Sequence, residues 1–164
     1  MTSESPSHDA RSTDLAGLIR AYREATDHFV AVASALPDTD LDRTPADPGG
    51  WTPRMVIHHV ADSETNSYVR LRRLLAEPAG STIQGYDEAQ WAGALHYDRP
   101  VERSLAVFRA VRESSAELLD LIGPEDLARA GVHTESGPYT LGDWLDTYAA
   151  HARDHAEQIR AALG

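Results

Sequence analysis

The segment GGWTPRMVIHHVADSETNSYVR, from Gly49 to Arg70, decides how the chain folds. After the paired glycines a helix is expected from about Thr52 to Ala76, with Pro53 in its first turn, where a missing backbone donor costs nothing. Pro78 and Gly80 mark its end. Along it, His59, Ser63, Asn66 and Arg70 recur at spacings of 4, 3 and 4 and form one polar stripe, while Ile57, Val60, Leu71, Leu74 and Leu75 lie to one side and can serve a core. A polar stripe on a bundle helix ordinarily faces water. This one contains a histidine directly after a second, His58. Adjacent helical residues point about 100° apart, so only one of the pair can join a site shared with other helices.

The matching segment is HARDHAEQI, His151 to Ile159, in a last helix expected from after Gly137 to about Leu163 with Thr140 as its cap. Trp144, Tyr148, His151, His155 and Ala162 follow spacings of 4, 3, 4 and 7, which keep them on one inward stripe. A first helix is expected from Asp14 to about Leu36, capped by Thr13 or Asp14, with Leu15, Leu18, Ile19, Tyr22, Ala25, Phe29, Val32 and Ala33 at helical spacing. A third spans about Val101 to Ile122, with Leu105, Phe108, Val111, Leu118 and Leu119 inward. Residues 37–50 read as a turn-rich connection. Residues 78–100 read as a long crossover with one helical turn near Asp87 to Ala94, and Pro124 to Arg129 as another short turn. No strand pattern stands out. The expectation is an all-α four-helix bundle with one long crossover, a disordered tail at residues 1–12 and a single domain at 13–164.

Composition narrows the function. The chain has 164 residues, enough for one continuous core. It has no cysteine, which removes disulfides, thiolate ligands and cysteine nucleophiles. All fifteen basic residues are arginine, so lysine Schiff-base chemistry is excluded. A net charge of −11 argues against nucleic acid as a partner. No apolar run approaches the roughly 20 residues of a membrane span, and the polar start lacks the layout of a secretory signal, so a cytoplasmic location is expected.

Two histidines at i and i+4 sit about one turn apart and can reach one ion. With His59 contributed by the second helix, three neutral imidazoles leave a fourth position open for water or substrate. Such an ion acidifies a bound water or thiol and polarises a carbonyl. Zinc suits imidazole best, and the ligand type also admits nickel, iron and manganese.

At these residues the sequence resembles the DinB/YfiT superfamily, bundles assigned as metal-dependent hydrolases or thiol S-transferases. It is most similar to the YfiT-like branch, which includes bacillithiol transferases. The tryptophan, double histidine and aspartate of that branch appear in Trp51 to Asp62, its crossover signature as YDEAQWA from Tyr86 to Ala92, and its closing His-x-x-x-His from His151 to His155. The match covers roughly residues 14–163. The resemblance implies His59, His151 and His155 as metal ligands, a site near one mouth of the bundle and a homodimer. Where members often carry a histidine after Asp62 and Ser63, this chain has Glu64.

The leading functional reading is a transferase that activates a low-molecular-weight thiol cosubstrate, bacillithiol or mycothiol, for attack on an electrophilic small molecule. Without cysteine the attacking sulfur must come from outside the chain. Asn66 and Arg70, on the face of His59, can hold polar groups of the thiol, and Trp144 and Tyr148 can wall the pocket. The alternatives are a metal-dependent hydrolase of an amide or ester, and a non-catalytic, stress-related bundle in which Glu64 or Asp62 closes the metal site. Asp62 can instead orient His58 or His59. Tyr86, Asp87 and Trp91 are placed to form a lid. Trp51 is read as packing at the start of its helix. His8, His28, His96 and His133 have no partner at ligand spacing and are given no role.

Overall fold

The computed structural model describes residues 14–47 and 49–164, so the expected tail and Thr13 lie outside the described residues. Helix α1 spans Leu15–Ser34 and is capped by the Asp14 carboxylate, which accepts from the Gly17 N–H at 3.0 Å. A one-turn helix α2, Asp38–Leu41, falls in the connection expected to be only turns. Helix α3 is Pro53–Ala76, capped by the Thr52 hydroxyl. In the crossover, α4 is Glu88–Ala94, with Asp87 accepting from the Gln90 N–H at 2.9 Å. Helix α5 is Glu102–Leu119, a 3₁₀ turn follows at Pro124–Ala128, and α6 is Leu141–Leu163. Thr140 and Asp143 close a reciprocal capping box at the start of α6.

The long helices form a ring in which α1 packs against α6 and α5, and α3 against α5 and α6. Two apolar clusters fill it. One joins Ala25, Phe29 and Ala33 to Val56, Val60, Phe108, Ala152 and Ile159. The other joins Tyr22 to Leu71, Leu74, Leu119, Trp144, Leu145 and Tyr148. The halves that meet in each cluster set the directions: α3 and α5 run parallel to each other and antiparallel to α1 and α6. That arrangement explains the long crossover. A 24-residue helix is about 36 Å long, and the chain must travel back along it before α5 can start at the same end.

The absence of strands is corrected by a small sheet: β1, Thr82–Ile83, pairs parallel with β2, Ala130–His133, which pairs antiparallel with β3, Gly137–Thr140. The sheet ties the crossover to the approach of α6, with Ile83 buried in the second cluster. Gly131 permits the close pairing, since a Cβ there would lie 2.7 Å from the Ser81 carbonyl oxygen. The molecule remains mostly helical and the sheet is a minor addition.

Between the two clusters the core turns polar. Thr26 of α1, Ser63, Glu64 and Ser67 of α3, Arg112 and Ser115 of α5 are all buried. This layer crosses the bundle at the level where α6 presents His151.

Candidate metal centre

The histidine pair at the start of α3 is divided by the helical turn. His58 is fully buried and turned away from α6. Its Nε2 donates to the Arg99 carbonyl at 2.9 Å, which leaves Nδ1 to accept from the Ser104 hydroxyl at 2.7 Å. Both ring nitrogens are therefore engaged, and burial depresses its pKa. His59 is 2% exposed and turned inward, with ring centroids 5.8 Å from His151 and 4.8 Å from His155. Its Nδ1 is buried without a hydrogen-bond partner among the described residues.

His59, His151 and His155 each bring a ligand atom to within 4.8 Å of the others. His151 and His155 face each other Nε2 to Nε2 at 3.1 Å. Tetrahedral bonds of 2.0–2.1 Å to one ion hold nitrogens about 3.3 Å apart, close to that spacing. The far side of His155 is fixed: its Nδ1 donates to the Gln158 Oε1 at 2.7 Å, which leaves Nε2 as a lone-pair donor. Burial, with the neighbouring imidazoles adding to it, pushes His59 down to about 3 and His155 down to about 4. Both rings are therefore neutral at physiological pH, the form that ligates. The buried, partnerless Nδ1 of His59 and the converging Nε2 atoms fit a divalent cation.

The walls come from three elements. Trp51 meets His59 edge-on at 4.7 Å and Tyr97 at 6.4 Å, so the residue expected only to pack at the helix start also covers a candidate ligand ring. Tyr148 lies one turn before His151, with rings 5.6 Å apart, and accepts a hydrogen bond from Arg70 Nη1 at 3.2 Å. Arg70 Nη2 donates to the Gln84 carbonyl of the crossover at 2.8 Å, while its Nε is buried and without a hydrogen-bond partner among the described residues. Rather than the surface ion pair common for a helix arginine, Arg70 is a strut between α3, α6 and the crossover. Asn66 donates to the Asp62 carbonyl of its own helix at 2.9 Å. Trp144 is fully enclosed in the second cluster and donates its indole N–H to the Ser67 carbonyl at 3.1 Å. Tyr86 packs against Trp91 in a tilted pair with centroids 4.5 Å apart, and its buried hydroxyl has no hydrogen-bond partner among the described residues. Burial raises its pKa, and Ser63, Tyr148 and Arg70 are near enough to perturb it.

One expectation about the carboxylates fails. Asp62 orients neither histidine; its Oδ2 accepts from the Tyr97 hydroxyl at 2.6 Å. Asp154 is exposed. Glu64 is 1% exposed and sits 3.2 Å from Arg112 Nη1 and 3.7 Å from His151 Nδ1. Arg112 went unnoticed in the sequence although it follows Phe108 by four residues on the inward stripe of α5. Gln158 also went unnoticed, three residues after His155. His28 pairs with Glu157 at 2.8 Å. A groove of about 490 Å³ between α1 and α5 is lined by none of the three histidines.

Parallel pairs of long helices joined by a long crossover, with three inward imidazoles converging from two of them, define a helical bundle built around a candidate metal centre. Residues 21–159 match the DinB superfamily profile, and the chain belongs to that superfamily. It is 40% identical over 68% of its length to a protein of Oceanobacillus iheyensis, covering 64% of that relative, and 37% identical over 78% to one of Bacillus mycoides, covering 75%; both carry the name "Putative metal-dependent hydrolase". A solved structure of YfiT from Bacillus subtilis, described as "a probable metal-dependent hydrolase with an unusual four-helix bundle topology", is 28% identical with a TM-score of 0.81, covering 99% of this chain and 90% of that one.

Proposed function

We propose that the chain holds one divalent metal ion at His59, His151 and His155 and acts as a transferase that activates a low-molecular-weight thiol, bacillithiol or mycothiol, for attack on an electrophilic small molecule. The observation behind the reading is the convergence of three imidazoles within 4.8 Å, with burial holding His59 and His155 neutral. A divalent ion there, zinc by preference and nickel, iron or manganese otherwise, supplies a Lewis-acidic position that lowers the pKa of a thiol.

The chain's own residues do the rest. His59, His151 and His155 hold three positions and leave the fourth to an incoming group. Trp51 and Tyr148 exclude water from two sides. Arg70 Nε and the Tyr86 hydroxyl, neither hydrogen-bonded to a described residue, are available donors for the polar groups of the thiol or its acceptor, with Asn66 on the same face of α3 as Arg70. Tyr86 and Trp91 form the lid.

What favours a thiol over water is the state of the nearby carboxylates. A hydrolytic water needs a base to take its proton, yet Asp62 is engaged by Tyr97, Glu64 by Arg112, and Asp154 is exposed. A low-molecular-weight thiol, with a free pKa of about 8.5, would need less help from a base than water if such an ion were bound. The second reading, hydrolysis of an amide or ester, is supported by the names of the relatives. We place the protein in the cytoplasm as a homodimer with a small-molecule substrate.

The test is turnover of a chromogenic aryl halide by zinc-loaded protein with bacillithiol or mycothiol. The expected result is thiol-dependent release of halide that falls to background in His59→Ala, His151→Ala and His155→Ala. Thiol-independent cleavage of nitrophenyl esters, with no thiol transfer, would establish the hydrolytic reading instead.

A further inference from the structure

The buried pair Glu64–Arg112 has no explanation in core packing. Taking two charges out of water is costly, and apolar residues of the same volume serve a core at least as well. The pair is placed where it touches a candidate ligand. Glu64 Oε1 lies 3.2 Å from Arg112 Nη1 and 3.7 Å from His151 Nδ1, just beyond hydrogen-bond distance, and that Nδ1 makes no hydrogen bond to any described residue. Arg112 is itself immobilised. Nε donates to Thr26 Oγ1 at 2.8 Å, Nη1 to the Tyr148 carbonyl at 2.8 Å, and Nη2 to the Tyr22 carbonyl at 2.6 Å. Its guanidinium also lies 3.4 Å from the centroid of the Tyr22 ring.

We infer that Glu64 is a positioning residue that sets the tautomer of His151, and that Arg112 holds the Glu64 carboxylate in place for that task; this rests on the metal centre proposed above. A neutral imidazole carries one proton on either ring nitrogen. With the proton on Nδ1, His151 points an N–H at the Glu64 carboxylate and leaves Nε2 free to ligate. With the proton on Nε2, the lone pair of Nδ1 faces that carboxylate, and like partial charges oppose. Glu64 therefore selects the ligating form. Gln158 does the same for His155. Where both protons sit on Nδ1, two Nε2 lone pairs converge at 3.1 Å, an arrangement that a cation between them satisfies; with the proton on His151 Nε2 the same contact is a hydrogen bond to His155 Nε2 instead.

The test uses zinc alone as the probe. Zinc affinity is measured by competition with a chromophoric chelator for the wild type, Glu64→Gln and Glu64→Asp. The His151 tautomer is read from imidazole ¹⁵N shifts in the zinc-free proteins, and a thermal melt accompanies each variant. The expected result is a 10- to 100-fold weaker zinc affinity in Glu64→Gln, an intermediate value in Glu64→Asp, and an Nδ1–H population of His151 that falls in the same order. Where Glu64→Gln does not fold, the Glu64→Asp values decide. A Glu64→Gln protein that melts lower but binds zinc as the wild type does would reduce the pair to a structural one and overturn the inference. A carboxylate oxygen seen in the zinc shell by X-ray absorption would overturn it too, making Glu64 a ligand. Failure of the wild type to bind zinc removes the metal centre itself, whereas an unchanged His151 tautomer in zinc-free Glu64→Gln removes only the role of Glu64.

Discussion

At the scale of single residues, His58 and His59 show how one step along a helix separates structure from chemistry. His58 spends both nitrogens on Arg99 and Ser104, while His59 spends neither on a described residue of the chain. Elemental analysis of untagged protein is therefore expected to find about one metal per chain in the wild type and in His58→Ala, and none in His59→Ala. His58→Ala is expected to lose about 1–3 kcal/mol of stability from its two broken buried bonds. Metal lost from His58→Ala and kept in His59→Ala would reverse the assignment. The depressed pKa values give a second expectation. Folding moves His59 from 6.5 down to about 3 and His155 from 6.5 down to about 4, so between those values the unfolded chain binds more protons. Stability from these neutral rings is fully present above about pH 6.5 and is lost as pH falls towards 4 and then 3. Metal-free protein should melt at steadily lower temperature through that window, and His59→Gln should flatten the slope. Equal slopes in the two proteins would contradict the burial that holds His59 neutral.

At the scale of elements, α3 and α6 were legible because each writes its own boundaries. Thr52 and Pro53 open one, Thr140 opens the other, and the 3.6-residue period of 23 or 24 residues places the histidines inward. The strands were not legible. Runs of two and four residues give alternation no room to appear, and Pro138 and Gly131 read as turn residues. Yet the sheet positions the crossover that carries Tyr86 and Trp91 and receives the Arg70 bond. Gly131→Ala tests this dependence. Its Cβ would stand 2.7 Å from the Ser81 carbonyl oxygen and 2.8 Å from Ile83 Cγ1. Backbone cannot swing aside as a side chain can, so β1 must part from β2. We expect a loss of about 1–3 kcal/mol in denaturant unfolding and faster amide exchange at Val132 and Thr134, whose N–H groups donate to Ser81 and Ile83. Unchanged exchange there would mean that the crossover is held by α3 alone.

At the scale of the whole molecule, the polar layer is where sequence reasoning fell short, for a physical reason. An arginine among Leu105, Phe108 and Leu119 reads as a surface residue, because burying a charge is unfavourable unless partners meet it, and partners from three other helices cannot be read from one helix's period. Arg112 meets Thr26 and Tyr22 of α1, Glu64 of α3 and Tyr148 of α6. One side chain of α5 thus ties together all four long helices at the level of the candidate metal centre. Arg112→Met should leave Glu64 buried and unpaired, at a cost of about 3–5 kcal/mol. If that cost comes from the stranded carboxylate, Glu64→Leu combined with Arg112→Met should recover most of it, since the apolar pair fills the same space without a charge to solvate. A double-mutant cycle in guanidinium separates the two causes. Strong coupling with recovery means that the layer is retained at some expense to stability, as expected of a layer that serves a site. Additive losses without recovery would mean that the bonds of Arg112 to the Tyr22 and Tyr148 carbonyls hold the bundle, and that Glu64 follows Arg112 rather than requiring it.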